Sequence, residues 1–212
     1  MSEPDMSEPE MTPRARNWDQ SYTDDTPPPW DIGEPQPTFA RLADRGLLAG
    51  RLLDAGCGTG EHTLLAASCG ADATGVDISP TAIGRARGKA AERGITARFE
   101  VANVLDPGQA GTGYDTVLDS GLFHVFNDAD RIEYVAGLAA ALRAGGTCYL
   151  MCFSDRQPGD VGPRRVTEAE LRAAFAVGWE VTGIAADAFK LTINPWYETP
   201  SAHAWLATIR RL

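Results

Sequence analysis

Residues 52–60 read Leu-Leu-Asp-Ala-Gly-Cys-Gly-Thr-Gly, and two kinds of chemistry meet there. Three alternate glycines, Gly56, Gly58 and Gly60, let the backbone turn tightly and let a ligand lie against it with no Cβ in the way. A carboxylate, Asp54, stands just ahead of them. The apolar run before the glycines reads as a strand and the run after them as a helix. Such strand-to-helix turns are where open α/β sheets bind their ligands. A dinucleotide fingerprint, Gly-x-Gly-x-x-Gly, is not met. Counted from Gly56 and Gly58 its third glycine falls on Glu61, and counted from Gly58 and Gly60 it falls on Thr63. No Gly-Lys-Ser/Thr follows, which removes a Walker-type loop. An acid ahead of the loop repels a pyrophosphate and suits a ligand carrying an ammonium group.

The elements that must position this loop follow from periodicity. Strands are expected at residues 51–55, 73–76, 97–102, 114–118, 147–153, 179–184 and 202–209. Helices are expected at 37–49, 61–68, 80–93 and 130–142, and from the capping box Thr167-Glu168-Ala169-Glu170 to Phe175. Ser79 caps the 80–93 helix with Pro80 at its first position, and Gly145–Gly146 are read as the stop after the 130–142 helix. Strands alternating with helices make an α/β fold with a mainly parallel sheet and helices on both faces. The last two strands follow each other directly and suit an antiparallel hairpin at the sheet edge.

In this frame the glycine loop resembles motif I of the class I S-adenosylmethionine-dependent methyltransferases. The resemblance implies the Rossmann-like methyltransferase fold, a seven-stranded mostly parallel sheet with one antiparallel edge hairpin. It also implies S-adenosyl-L-methionine as cofactor, with S-adenosyl-L-homocysteine as product. Asp54, Gly56, Gly58 and Gly60 would hold the methionine part. Asp77, in Gly75-Val76-Asp77-Ile78-Ser79, resembles the ribose-binding acid, with Ile78 beside it. Asn103 and Val104 stand at the end of the third strand, where the family usually has an Asp contacting the adenine amino group. Asn can still accept that hydrogen bond through its carbonyl oxygen. Tyr114–Ser120 resembles the fourth-strand motif. Asp119, with Ser120, is read either as an anchor for the cofactor's amino group or as a structural acid. His124 follows at the expected pocket mouth, a candidate general base or orienting group, because an imidazole titrates near neutrality; as a lone histidine among apolar residues it is equally a candidate core residue.

Residues 17–36 carry three consecutive prolines with Trp18, Tyr22 and Trp30. They are read as an ordered, extended, non-helical segment lying on the domain. The segment is similar to the N-terminal lid of the thiopurine, thiol and halide methyltransferases, and of bacterial relatives that methylate heterocyclic small molecules. The resemblance implies a flap over the cofactor, with Trp30 placed to face a sulfonium, since a Trp ring attracts cations. Residues 1–16, with MSEPD repeated as MSEPE, read as a disordered acidic tail, and residues 17–212 as the methyltransferase domain. The loop at 153–165 and Trp196 and Tyr197 are candidates for the acceptor side.

Composition narrows the partners. A formal net charge of -10 argues against a nucleic-acid partner, which needs clustered Lys and Arg. No apolar stretch approaches a membrane span, no signal-peptide layout precedes the domain, and Cys57, Cys69, Cys148 and Cys152 show no framework spacing, so a cytoplasmic protein with free thiols is expected. No metal-ligand set is evident. The expected activity is methyl transfer to a small-molecule nucleophile, a thiol or a heteroaromatic nitrogen or oxygen, by a monomer or homodimer. Two alternatives stand beside it, a non-catalytic S-adenosylmethionine-binding protein of the same fold and a nicotinamide-dependent oxidoreductase.

Overall fold

The protein is described from a computed structural model covering residues 13–24, 26–106, 108–193 and 199–212, with the side chains of 13 and 16 outside the description. In chain order the elements are α1 (Pro13–Thr23), α2 (Pro37–Asp44), β1 (Arg51–Ala55), α3 (Glu61–Ser68), β2 (Asp72–Asp77), α4 (Pro80–Arg93), β3 (Arg98–Val101) and β4 (Tyr114–Ser120). A short 3-10 turn at Phe123–Val125 follows, then α5 (Asp128–Ala141), β5 (Leu142–Phe153), α6 (Glu168–Ala174), β6 (Trp179–Lys190) and β7 (Ser201–Arg211). The seven strands form one sheet in the order β3-β2-β1-β4-β5-β7-β6. β1 through β5 are parallel and β7 pairs antiparallel with both β5 and β6. The chain winds outward from β1 to β3, then restarts beside β1 at β4. The crevice at the carboxyl ends of β1 and β4 is therefore the topological switch point, the usual ligand position in this architecture.

Side-chain alternation along the central strands fills a core on each face of the sheet. Leu53, Val117, Cys148 and Leu150 pack on one side with Tyr134 and Leu138 of α5 and Leu171 of α6. Their neighbours Leu52, Leu118, Tyr149 and Met151 pack on the other with Phe39 and Leu42 of α2 and Ala66 of α3. The continuous apolar character of β5 follows from this burial on two faces.

Two local expectations change. Residues 17–36 are not extended throughout, because 17–23 belong to α1, which already starts at Pro13, inside the stretch read as tail. Proline is tolerated at a first helical position, and the three consecutive prolines lie beyond the helix end. The helix holds because Ala15, Asp19 and Tyr22, spaced at i, i+4 and i+7, are buried against the domain. Gly145–Gly146 do not stop α5, which ends at Ala141. Both lie inside β5, where a Cβ on Gly146 would stand 2.6 Å from Leu142 and 3.1 Å from the Asp115 carbonyl oxygen. They serve the irregular register at which β5 joins β4. Residues 1–12 and the pair Trp196 and Tyr197 lie outside the described residues. Among the described residues no helix is long and apolar enough to cross a membrane.

Candidate active site

The glycine loop turns at the carboxyl end of β1. Gly56, Gly58 and Gly60 all have positive φ, at 69°, 52° and 88°, which an L side chain adopts only with strain. A Cβ on Gly58 would stand 2.9 Å from the Tyr22 hydroxyl, so glycine is needed there for close approach as well as for the turn. Across the loop, Asp77 ends β2. Its Oδ2 accepts the Gly58 N–H at 2.9 Å and its Oδ1 accepts the Ser79 N–H at 2.9 Å. Burial pushes its carboxyl above the usual range, against the lowering pull of those N–H groups.

Gly56, Gly58, Asp77, Ile78, Asn103, Val104, Ser120, His124 and Trp30 line one cavity of about 1300 Å³. Its outer wall is the N-terminal segment, with Trp18 and Tyr22 from α1 and the prolines at 27–29. Trp30 stacks edge-on to Trp18 at 5.8 Å and donates its indole N–H to the Tyr22 hydroxyl at 3.2 Å. Phe126, Phe153, Phe189, Leu122 and Leu191 make the deeper part apolar.

Three anchors hold the segment down. Asp19 accepts from the Ser79 hydroxyl at 2.6 Å and the Thr81 amide at 2.9 Å, so a carboxylate of the N-terminal segment sits on the positive N-terminus of α4. Asp31 accepts the Thr59 hydroxyl at 2.8 Å. Gln36 makes a strand-like pair with Lys190, accepting its N–H and donating to its carbonyl, and gives its own N–H to His62 Nε2 at 3.0 Å. Of these residues, His62, Thr81 and Lys190 were not singled out by the sequence. His62 carried a usable signal, standing two positions past the glycine loop in the first turn of α3.

Three expected site residues, Asp119, Gly60 and Asp54, lie behind the cavity rather than on it. Asp119 is fully buried and fully engaged, accepting the Leu122 N–H at 2.7 Å, the Phe123 N–H at 3.0 Å and the Tyr134 hydroxyl at 2.9 Å. Burial moves it up to about 7. Its structural reading replaces the cofactor anchor. Gly60 turns into α3, where a Cβ would meet Phe99 at 2.7 Å and Ala86 at 2.8 Å. Asp54 lies beneath the loop, 1% exposed. Its Oδ2 accepts the Thr63 hydroxyl at 2.7 Å, while its Oδ1 has no hydrogen-bond partner. Burial raises it to about 7.

His124 is on the wall but is not a base. Its Nδ1 accepts the Phe153 N–H at 2.9 Å, and burial, with Arg131 and Arg165 adding to it, lowers its pKa to about 3. His62 is likewise lowered by burial, to about 4. Both rings are therefore weak bases whose acceptor nitrogen already takes a backbone N–H, which argues against a general-base role for His124 and favours the orienting one.

Comparison with known proteins decides the family. Residues 52–146 match a family described as a methyltransferase domain. A 2-heptyl-1-hydroxyquinolin-4(1H)-one methyltransferase of Mycobacteroides abscessus is 38% identical over 181 residues, covering 79% of this chain and 78% of the relative. The chain belongs to the S-adenosylmethionine-dependent methyltransferases. A probable thiol methyltransferase of Arabidopsis thaliana is 26% identical over 183 residues, covering 85% of this chain and 78% of that one. A solved structure concerned with conversion of a disulfide bond into a thioacetal group during echinomycin biosynthesis superposes with a TM-score of 0.85 at 38% identity, covering 93% of each chain. A methyltransferase structure from Anabaena variabilis, 19% identical with a TM-score of 0.72 over 96% of this chain and 97% of that one, shares the fold.

As a member of this family the enzyme uses S-adenosyl-L-methionine, and its relatives include small-molecule methyltransferases. Membership sets aside the nicotinamide alternative and the non-catalytic one. The residues fit the donor. The glycine cradle leaves backbone bare, Asp77 has lone pairs to spare for hydroxyl donors, and Asp54 keeps an unpaired carboxylate oxygen under the loop.

Proposed function

We propose that this methyltransferase alkylates a sulfur, or a ring-borne nitrogen or oxygen, of a flat apolar small molecule that reaches the site already ionised or readily ionised. The observation that carries the reading is the absence of a working imidazole base. The two histidines on the cavity wall each use one nitrogen as an acceptor of a backbone N–H and are weak bases, lowered by burial to about 3 for His124 and about 4 for His62. A neutral alcohol needs a base at the moment of transfer; a thiolate or the anion of an acidic heteroaromatic hydroxyl does not. The aromatic depth of the cavity suits a planar guest. The hydroxyquinolinone for which the Mycobacteroides relative is named and the thiol for which the Arabidopsis one is named belong to these two classes.

The cofactor supplies an activated methyl group on a sulfonium, so the protein's share is proximity and alignment, worth about 7–11 kcal/mol in favourable cases. In this reading Asp77 accepts from the ribose hydroxyls and Ile78 flanks the base. Asn103 and Val104 meet the adenine, and Gly56 and Gly58 let the methionine part lie on bare backbone. Ser120 borders the methionine end, and Trp30 offers its ring to the cation.

The test is kcat/KM against pH for two thiols whose own pKa values differ by about two units. The midpoint of each profile should follow the acceptor. One common midpoint for both thiols would assign the proton to an enzyme group and overturn the reading.

A further inference from the structure

The orientation of His124 has a consequence for substrate choice. Asp119 fixes the turn that carries it by accepting the Leu122 and Phe123 N–H groups. With Nδ1 accepting from Phe153 N–H, the neutral ring carries its proton on Nε2. The charged groups acting on the ring are both cations, Arg131 on α5 and Arg165 ahead of α6, so the ring has no means to become an acid–base catalyst near neutrality. Nε2 lies 3.3 Å from where a Cβ on Gly121 would stand, and Gly121 lacks one. The rings of Phe153 and Phe189 flank it at 5.1 and 6.0 Å. Among the described residues nothing accepts its proton. A fixed N–H thus stands on the cavity wall beside two aromatic rings, open to an acceptor atom of a bound ligand.

We propose that His124 Nε2–H donates to a second heteroatom of the methyl acceptor, a ring nitrogen or oxo oxygen conjugated with the atom that is methylated. The inference rests on the acceptor reading above and narrows it to ambident heteroaromatics, in which the anionic charge is shared between two atoms. The acceptor loses its proton to solvent before transfer. The hydrogen bond then holds one end of the conjugated anion, and the lone pair of the other end forms the new bond to methyl. The methyl–sulfur bonding pair stays on sulfur, so both products leave neutral. His124 is in this account a specificity-determining residue that also directs which atom is methylated.

Quinoline-4-thiol and naphthalene-1-thiol have nearly the same shape and differ by one ring nitrogen. Each is assayed with S-adenosyl-L-methionine and the full chain, as wild type, His124→Ala, His124→Asn and His124→Gln. Wild type should prefer quinoline-4-thiol, and His124→Ala should lose about 10- to 100-fold more kcat/KM on it than on the naphthalene. His124→Gln, whose amide can replace the donor, should recover part of that difference. His124→Asn keeps an acceptor for the Phe153 N–H but is too short to reach the guest. It should fold with wild-type thermal stability and behave as His124→Ala does. Equal losses on both thiols, or a glutamine variant no better than alanine, would overturn the inference while leaving methyl transfer to thiols intact. Turnover of neither thiol by the wild-type enzyme would overturn the acceptor reading and this inference together.

Discussion

Replacing Asp19 by alanine isolates what holds the lid. Asp19 accepts three hydrogen bonds across the gap between α1 and α4, from the Ser79 hydroxyl, the Thr81 amide and the Thr81 hydroxyl. Hydrogen bonds to a charged group contribute about 1.5–3 kcal/mol each. They do not add, because Ser79 also caps α4 through the Ala82 N–H and water replaces the rest. The position at the α4 N-terminus contributes about 0.3–1 kcal/mol more. A net loss of about 2–3 kcal/mol of docking is therefore expected, a factor of about 30–150 in the equilibrium between docked and undocked α1.

Hydrogen exchange reads that equilibrium directly. The amides of residues 17–23 should exchange faster by that factor in Asp19→Ala, while those of β4 and β5 keep their protection. Because Trp18 and Tyr22 of α1 are part of the cavity wall, affinity for S-adenosylhomocysteine should fall in the same variant. Unchanged exchange in α1 would refute the view that this carboxylate anchors the lid. A uniform rise over the whole chain would show that α1 does not open separately from the sheet.

Asp77→Ala should weaken S-adenosylhomocysteine binding by about 10-fold or more in calorimetric titration, since a charged acceptor and the brace on the Gly58 N–H are lost together; an unchanged dissociation constant would sink the ribose assignment. From about pH 4.5 to 7.5 the contribution of Asp54 and Asp119 to stability falls as pH rises, against the opposite contribution of His62 and His124, whose pKa values are lowered to about 4 and about 3. Asp54 and Asp119 are both raised by burial to about 7 from an ordinary 3.8, so through that window the folded chain holds protons that the unfolded chain has released. Thermal melting across the window should show a slope against pH that is more positive in Asp54→Asn than in wild type, and an unaltered or more negative slope in the variant would contradict the assignment.

The order of strands and helices, the glycine loop and the caps were legible in the sequence because each rests on neighbours a few residues away. Ser79 accepts the Ala82 N–H, and Thr167 and Glu170 form the reciprocal capping box. The alternation of strands with helices announced a sheet covered on both faces, and the acid-then-glycine spacing separated this loop from a pyrophosphate site. Those same local rules misjudged α1. Its burial stripe of Ala15, Asp19 and Tyr22 contains a carboxylate, which looks like a solvent residue until Ser79 and Thr81 arrive from about 60 positions away.

Tertiary structure alone decided the roles inside the site. Whether Asp119 faced the cofactor or its own turn depended on Tyr134, which comes from the far end of a helix turn packed beneath it. Whether His124 was a base or a donor depended on a backbone N–H from a different strand, Phe153 on β5. The lid closed through Gln36 onto Lys190, across 154 positions. A residue's type and its neighbours in sequence set what it is able to donate, accept or bury. Which of its atoms remains free for a substrate is fixed by partners that the folded sheet brings up against it, and no spacing along the chain encodes them.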